Sequence, residues 1–214
     1  TQKVAEESFS NERNQKMLYV KGYGVYFFKE GAIGFYSERT KSIKELKKEE
    51  DEYRDFWGLA QYQNAVYYWA YADDSQRLYR VDFELNRKEL FYEDMNGNLA
   101  GVFGTNENRV ILKGNYYYFM NSDKNQLLRF SLETKDMVKQ DLPDMRTIPL
   151  PAEWAELKHI LVLDEEAVNY GNQLQGFYIV GNRGFVCVSG MGDYTLSFDL
   201  NNPADFQYMK LNTI

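Results

Sequence analysis

Residues 65–84 read AVYYWAYADDSQRLYRVDFE, and residues 114–133, GNYYYFMNSDKNQLLRFSLE, align to them without a gap. Tyr67, Tyr68, Asp74, Leu78, Arg80 and Glu84 recur as Tyr116, Tyr117, Asp123, Leu127, Arg129 and Glu133, with aromatic or aliphatic matches between. Each stretch is an apolar run rich in aromatic and β-branched residues, a short polar turn and a second run, which is how a β-hairpin reads. Self-similarity at a fixed spacing decides the fold, because such a unit cannot bury its apolar faces alone and must stack on its copies.

Working outward, Tyr19-Val-Lys-Gly-Tyr-Gly-Val-Tyr-Phe-Phe28 and Ile179-Val-Gly-Asn-Arg-Gly-Phe-Val-Cys-Val188 place the same apolar run, glycine turn and apolar run near the two ends of the chain. Four units follow, each with strands a, b, c and d: Lys16 to Lys48, Asp55 to Glu93, Arg109 to Leu142 and Phe177 to Leu211. The a and b strands are almost wholly apolar (Val110-Ile-Leu112, Tyr116 to Met120, Phe177 to Val180). The d strands are polar (Ser42 to Lys48, Met137 to Asp141). A sandwich would show the same in-out alternation in every strand. A propeller sets the first strand of each blade near the axis and the fourth at the rim, so burial should fall from a to d. The expected fold is therefore all-β and propeller-like: about four four-stranded antiparallel blades in a single domain over 1–214, closing as a ring of four or forming part of a larger ring. Tyr67, Trp69, Tyr116, Tyr118, Val110, Leu112, Ile179, Phe185 and Cys187 are the expected core.

Composition agrees and narrows the function. The 214 residues include 18 Tyr, 14 Phe and 3 Trp against 4 Pro, which favours pleated surfaces over helices. A net charge of −7 lacks the basic stripe that a nucleic-acid backbone needs. The single cysteine, Cys187, excludes an intramolecular disulfide framework or a multi-cysteine zinc site. No apolar run approaches the roughly 20 residues of a spanning helix. The chain opens at Thr1 without methionine, and Thr1 to Glu12 is polar, like a linker behind a removed export signal or anchor. These features lead to an expected extracellular or cell-envelope location, although a cytoplasmic protein can carry the same cysteine count.

The pattern Val66-Tyr-Tyr-Trp69 followed by Leu78-Tyr-Arg-Val-Asp82 resembles the blades of bacterial propellers of the YWTD, low-density-lipoprotein-receptor type, though no unit contains Tyr-Trp-Thr-Asp in full. The match is good over the second and third units and looser over the first and fourth. The resemblance implies a module whose loops bind protein or carbohydrate.

Residues 144–176 break the period. Pro151-Ala-Glu-Trp-Ala-Glu-Leu-Lys-His159 has proline at a first helical position, acids early and Lys158 and His159 late, which predicts one short helix over 151–159. His159 is the only histidine and stands at this helix end, so neither a histidine-rich metal site nor a nucleophile triad is built around it. Gly181-Asn-Arg-Gly184 reads as a hairpin turn, and Lys47-Lys-Glu-Glu-Asp-Glu52 as a solvated charged face.

In an a-b-c-d meander the b-to-c turns and the d-to-a connections leave from one end of the blade. Asp73, Asp74, Asp123 and Asp193 should therefore share a face with the insert that carries Glu153 and Trp154. Such an acidic face, with an indole on it, suits a basic protein, a carbohydrate or a calcium ion held by turn carboxylates. Asp is also simply a residue that tolerates turns, and Trp154 can equally be a structural plug that caps the blades. The expected function is a non-catalytic binding module with no resident cofactor, able to self-associate through blade edges. The enzyme-class alternative is a glycosidase using two carboxylates roughly 5 to 10 Å apart.

Overall fold

The computed structural model describes residues 17–29, 31–50, 52, 56–72, 75–99, 110–121, 126–142, 174–188 and 194–210. They form four antiparallel four-stranded sheets. The first comprises β1 (Met17–Val20), β2 (Gly24–Lys29), β3 (Ala32–Ser37) and β4 (Ile43–Lys47), and the second β5 (Trp57–Tyr62), β6 (Ala65–Tyr71), β7 (Gln76–Asp82) and β8 (Lys88–Glu93). The third comprises β9 (Val110–Lys113), β10 (Tyr116–Asn121), β11 (Gln126–Ser131) and β12 (Met137–Asp141), and the fourth β13 (Leu174–Val180), β14 (Arg183–Val188), β15 (Tyr194–Asp199) and β16 (Asn202–Lys210). Every sheet is a simple meander, and the first strands touch in the order β1, β5, β9, β13, so a is the inner strand of each blade. The architecture is all-β and propeller-like. There is no helix among the described residues, and the helix expected over 151–159 lies outside them.

Local chemistry repeats from blade to blade. The a-to-b turns of the last three sheets are two residues long, Gln63-Asn64, Gly114-Asn115 and Gly181-Asn182, and each opens on a positive φ, 51°, 59° and 55°. At the end of each c strand stands Ser37, Asp82, Ser131 or Asp199. Its side-chain oxygen accepts a backbone N–H of the following turn: Thr40 at 3.2 Å, Glu84 at 2.8 Å, Thr134 at 3.1 Å and Asn201 at 2.7 Å. Ser and Asp suit this place because a short side chain can mimic a turn of backbone.

Three apolar cores fill the spaces between successive sheets. Leu18, Val20, Tyr26, Phe28, Ile33 and Phe35 of the first meet Leu59, Val66, Tyr68, Ala70, Tyr79 and Val81 of the second. The other face of the second sheet, with Trp57, Tyr67, Trp69 and Leu78, meets Val110, Tyr117, Phe119, Leu128 and Phe130. Tyr118, Met120 and Leu127 then meet Phe177, Val186, Leu196 and Phe198. Trp57 and Trp69 stack at 5.5 Å, and Phe119 meets both edge-on. Gly58 has φ +64°, and a Cβ there would stand 2.9 Å from the Trp69 ring, so the close approach of β5 to this stack requires glycine.

Two sequence expectations change. Burial does not fall steadily from a to d; in the second sheet it peaks in the b strand. β6 is buried along its whole length, while β1 leaves Met17 and Tyr19 at 64% and 56% exposure and β13 leaves Tyr178 and Val180 at 48% and 67%. The second sheet is packed on both faces, whereas β1 and β13 belong to the first and fourth sheets, each of which packs a neighbouring sheet on one face among the described residues, so alternate side chains stay exposed. Accordingly Tyr67, Trp69, Tyr118 and Val110 are buried, but Tyr116, Leu112, Ile179 and Phe185 are only half-buried, and the Cys187 side chain lies outside the described residues. The second change is in register. Ala65 pairs with Asp82 where Tyr116 pairs with Ser131, so the third blade's b–c hairpin is two residues shorter. The ungapped repeat is in register for the c strands and two residues out for the b strands, where Tyr67 corresponds to Tyr118. An even slip keeps every side chain on its face. That is why the aromatic pattern matched in spite of it.

Candidate functional site

At the end of the sheets bearing the a–b and c–d turns, side chains are spent on structure. A pocket of about 140 Å³ there is lined by Asn64, Arg80, Asp82, Arg87 and Glu89. Arg80 Nη1 lies 2.9 Å from Glu89 Oε1 and Arg87 Nη2 3.3 Å from Glu89 Oε2, and the Arg80 bond holds the Glu89 carboxyl below the usual carboxylate range. Asp82 Oδ1 is already shared by the N–H groups of Glu84 and Asn86. The pocket is neutral and internally paired.

The opposite end, with the b–c turns and d–a connections, differs. After β4, Glu52 N–H donates to Glu49 O (3.2 Å) and Glu49 N–H to Glu52 Oε2 (2.7 Å). Glu52 then joins the second sheet by one antiparallel bridge to Ala72, at the end of β6. Glu52 is 1% exposed, and its Oε1 has no hydrogen-bond partner. Tyr68, fully buried on β6, also has an unpartnered hydroxyl, and the Glu52 charge acts on it. Burial first, and the Glu52 charge second, push the Tyr68 phenol well up from its ordinary value. Burial, and then a hydrogen bond to the Glu52 carboxylate and its charge, do the same to Tyr79.

Around this pair lies an aromatic wall. Phe56 stands 4.9 Å from Tyr68 and 5.9 Å from Phe28, and Tyr79 stacks on Tyr68 at 5.5 Å. Lys88 Nζ lies 4.1 Å over the Tyr79 ring and pairs with Glu49. Asp94, the other buried carboxylate among the described residues, has both oxygens taken: Oδ1 by the Asn98 amide (2.9 Å) and Oδ2 by Leu99 N–H (2.7 Å). Glu93 Oε1 accepts from Ser75 (2.7 Å) and Arg77 (2.8 Å). Among the described residues, Glu52 is therefore the buried acid of this end with an open oxygen. No group of three or more His, Cys, Asp or Glu side chains that could hold a metal ion occurs among the described residues.

Glu153, Trp154, Asp73, Asp74, Asp123 and Asp193, the residues singled out from sequence, all lie outside the described residues. Their flanks are described: Ala72 pairs with Glu52, and Ser75 bonds Glu93, so the strand ends beside Asp73 and Asp74 belong to the Glu52 end. Sequence reasoning missed Glu52 itself, because the run from Lys47 reads as a solvated face. Glu49 and Glu50 are exposed as that reading expects, but Glu52 is not. The available signal was the aromatic pair Phe56-Trp57 four residues on, at the start of the next blade.

No protein-family model matches the chain, and no curated protein matches it. Among solved structures it is similar to Hsv2 of Kluyveromyces lactis. With loop 6CD replaced by a Gly-Ser linker, the match has 10% identity and a TM-score of 0.49 and covers 92% of this chain and 52% of that one. With loop 6CD complete, the identity is 10%, the TM-score 0.48 and the coverage 92% and 50%. The chain thus spans about half the length of those structures.

Proposed function

We propose that the chain is a non-catalytic binding module of the cell envelope or the extracellular space, which takes a protein or carbohydrate partner on the end of its sheets bearing the b–c turns and d–a connections. One observation carries the reading: at the other end the Ser or Asp that closes each c strand is consumed by a turn device repeated in all four blades, whereas this end keeps a buried carboxylate with an open oxygen. Leaving an acceptor unsatisfied in the interior costs about 1–3 kcal/mol. Such a cost is commonly borne at functional sites. Binding is favoured over two-carboxylate hydrolysis because Asp94, the other described buried acid, is fully bonded.

Asp73, Asp74, Asp123, Asp193, Glu153 and Trp154 complete this face in the proposal. The test is affinity capture from a native envelope extract and on a glycan array, using three forms of the protein. One is wild type, one carries Asp73→Asn, Asp74→Asn and Trp154→Ala, and one carries Arg87→Ala and Asn182→Ala at the opposite end. The same partner should be retained by the third form and lost by the second. Loss by the third form alone, or equal retention by all, would sink the reading, as would turnover of a chromogenic glycoside.

A further inference from the structure

We infer that a second copy of the chain completes the ring: the fourth sheet of each copy packs on the first sheet of the other, which closes eight blades around one axis. The pairing is independent of the binding reading, and it leaves both ends of the sheets uncovered.

Apolar cores join the first sheet to the second, the second to the third and the third to the fourth, and among the described residues none joins the fourth to the first. The two faces left over are of opposite kind. On the first sheet it is the face turned away from the second, where Met17 and Tyr19 are exposed. Counted back from the a–b turn, the same positions hold Val110 and Leu112 in the third sheet and Phe177 and Ile179 in the fourth, all packed against the preceding sheet. On the fourth sheet the face left over exposes Tyr178 and Val180. Their counterparts, Leu18 and Val20 in the first sheet and Ile111 in the third, pack against the following sheet. One end of the chain therefore lacks a preceding sheet and the other a following one, and a copy of the same chain supplies both, head to tail. Phe27 and Ala32 on the first of these faces and Thr195 and Ser197 on the second are buried, so the open surface is the strip along β1 and β13.

Charge continues the pattern. Arg39 reaches Glu84 of the second sheet (2.8 Å) and Tyr62 reaches Glu133 of the third (2.8 Å), so the earlier sheet gives a donor to a carboxylate in the c–d turn of the next. On the fourth sheet Arg183 pairs with Val180 across the hairpin; its described hydrogen bond goes to Ser197 Oγ (2.8 Å), and its Nε has no partner. On the first sheet the c–d turn carries Glu38, whose carboxylate bonds the Tyr19 hydroxyl beside the open strip. The guanidinium of one copy complements that carboxylate of the other. Area selects a closed pair over a single contact. Hiding the exposed part of each of the four apolar side chains at one seam removes roughly 100 Å² apiece, far below the ~1,000 Å² that a stable interface clears; two seams, with Arg183 and Glu38 added, approach it. Eight blades lie within the range that propellers use.

Sedimentation equilibrium of the full chain over a dilution series reads the assembly. Wild type should weigh two chains and fall to one on dilution. Met17→Asp with Tyr19→Asp, and separately Tyr178→Asp with Val180→Asp, should each raise the dissociation constant about thirtyfold or more. These side chains are exposed, so near-native tryptophan fluorescence should persist in both variants. Arg183→Glu and Glu38→Arg should each weaken the pair about tenfold or more, and the two together in one chain should restore it, which a misfolded variant could not do. A wild type that stays monomeric, including the case in which its four sheets close on one another, would overturn the inference. So would growth into longer assemblies, a dimer that survives either aspartate pair, or a double charge swap no tighter than either single one.

Discussion

Replacing Glu52 by glutamine should stabilise the fold. In wild type a carboxylate at 1% exposure has one oxygen bonded to Glu49 N–H and the other unpartnered. Glutamine keeps the first bond through its carbonyl oxygen and removes the buried charge. Its amide N–H groups are donors, and the buried Tyr68 hydroxyl is an acceptor without a partner. Relieving one unsatisfied charged acceptor is worth about 1–3 kcal/mol, and part of that is returned because the amide must itself be satisfied. The expected gain is therefore about 1–2 kcal/mol. For a chain of this size it would raise the thermal midpoint by roughly 3–6 °C. Urea unfolding followed by tryptophan fluorescence reads it directly, since Trp57 and Trp69 are both buried and their surroundings change on unfolding. The midpoint concentration should rise with the slope unchanged. A loss of 1 kcal/mol or more would refute the reasoning, because it would mean that the charge itself holds the connection in place.

Other outcomes follow from the same geometry. Asp82→Ala removes the acceptor of two turn N–H groups and should cost about 1–2 kcal/mol in denaturant unfolding, with Asp82→Asn recovering most of the loss. Gly58→Ala combines a positive φ with a Cβ 2.9 Å from Trp69 and should cost about 2–3 kcal/mol, read as a fall in thermal midpoint; a neutral result would show that β5 can move off the indole stack. Tyr68 and Tyr117 are fully buried with phenol pKa values raised by burial, so above pH 10 the unfolded chain releases protons that the folded chain keeps. Stability should be untouched by these groups below pH 10 and fall by about 1.4 kcal/mol per pH unit for each above it; Tyr68→Phe should shed one such contribution in an alkaline unfolding series.

Short-range chemistry in this protein was legible without a structure. The repeat of residues 65–84 at 114–133 determined hairpins, because strand, turn and strand are each local and their residue preferences act within a few positions. The polar d strands β4 and β12 are the solvated rims their composition indicated. The same locality explains the slip in the repeat. Side chains alternate with a period of two, so a hairpin shortened by two residues leaves the apolar pattern intact, and only the ladder from Tyr116 to Ser131 counts the residues across it.

Burial of a charge is decided by contacts made across the chain, and within the charged run itself the sequence was silent. Nothing in Lys47-Lys-Glu-Glu-Asp-Glu52 distinguishes its last glutamate from Glu50, yet a single bridge to Ala72, 20 positions away, puts one in the core and leaves the other in water. Likewise the inner strands were as apolar as the b strands in composition, but β6 is buried throughout while β1 and β13 leave alternate side chains exposed. Composition reports how much surface a strand would like to hide. How many neighbours it has to hide behind is set only when the sheets pack.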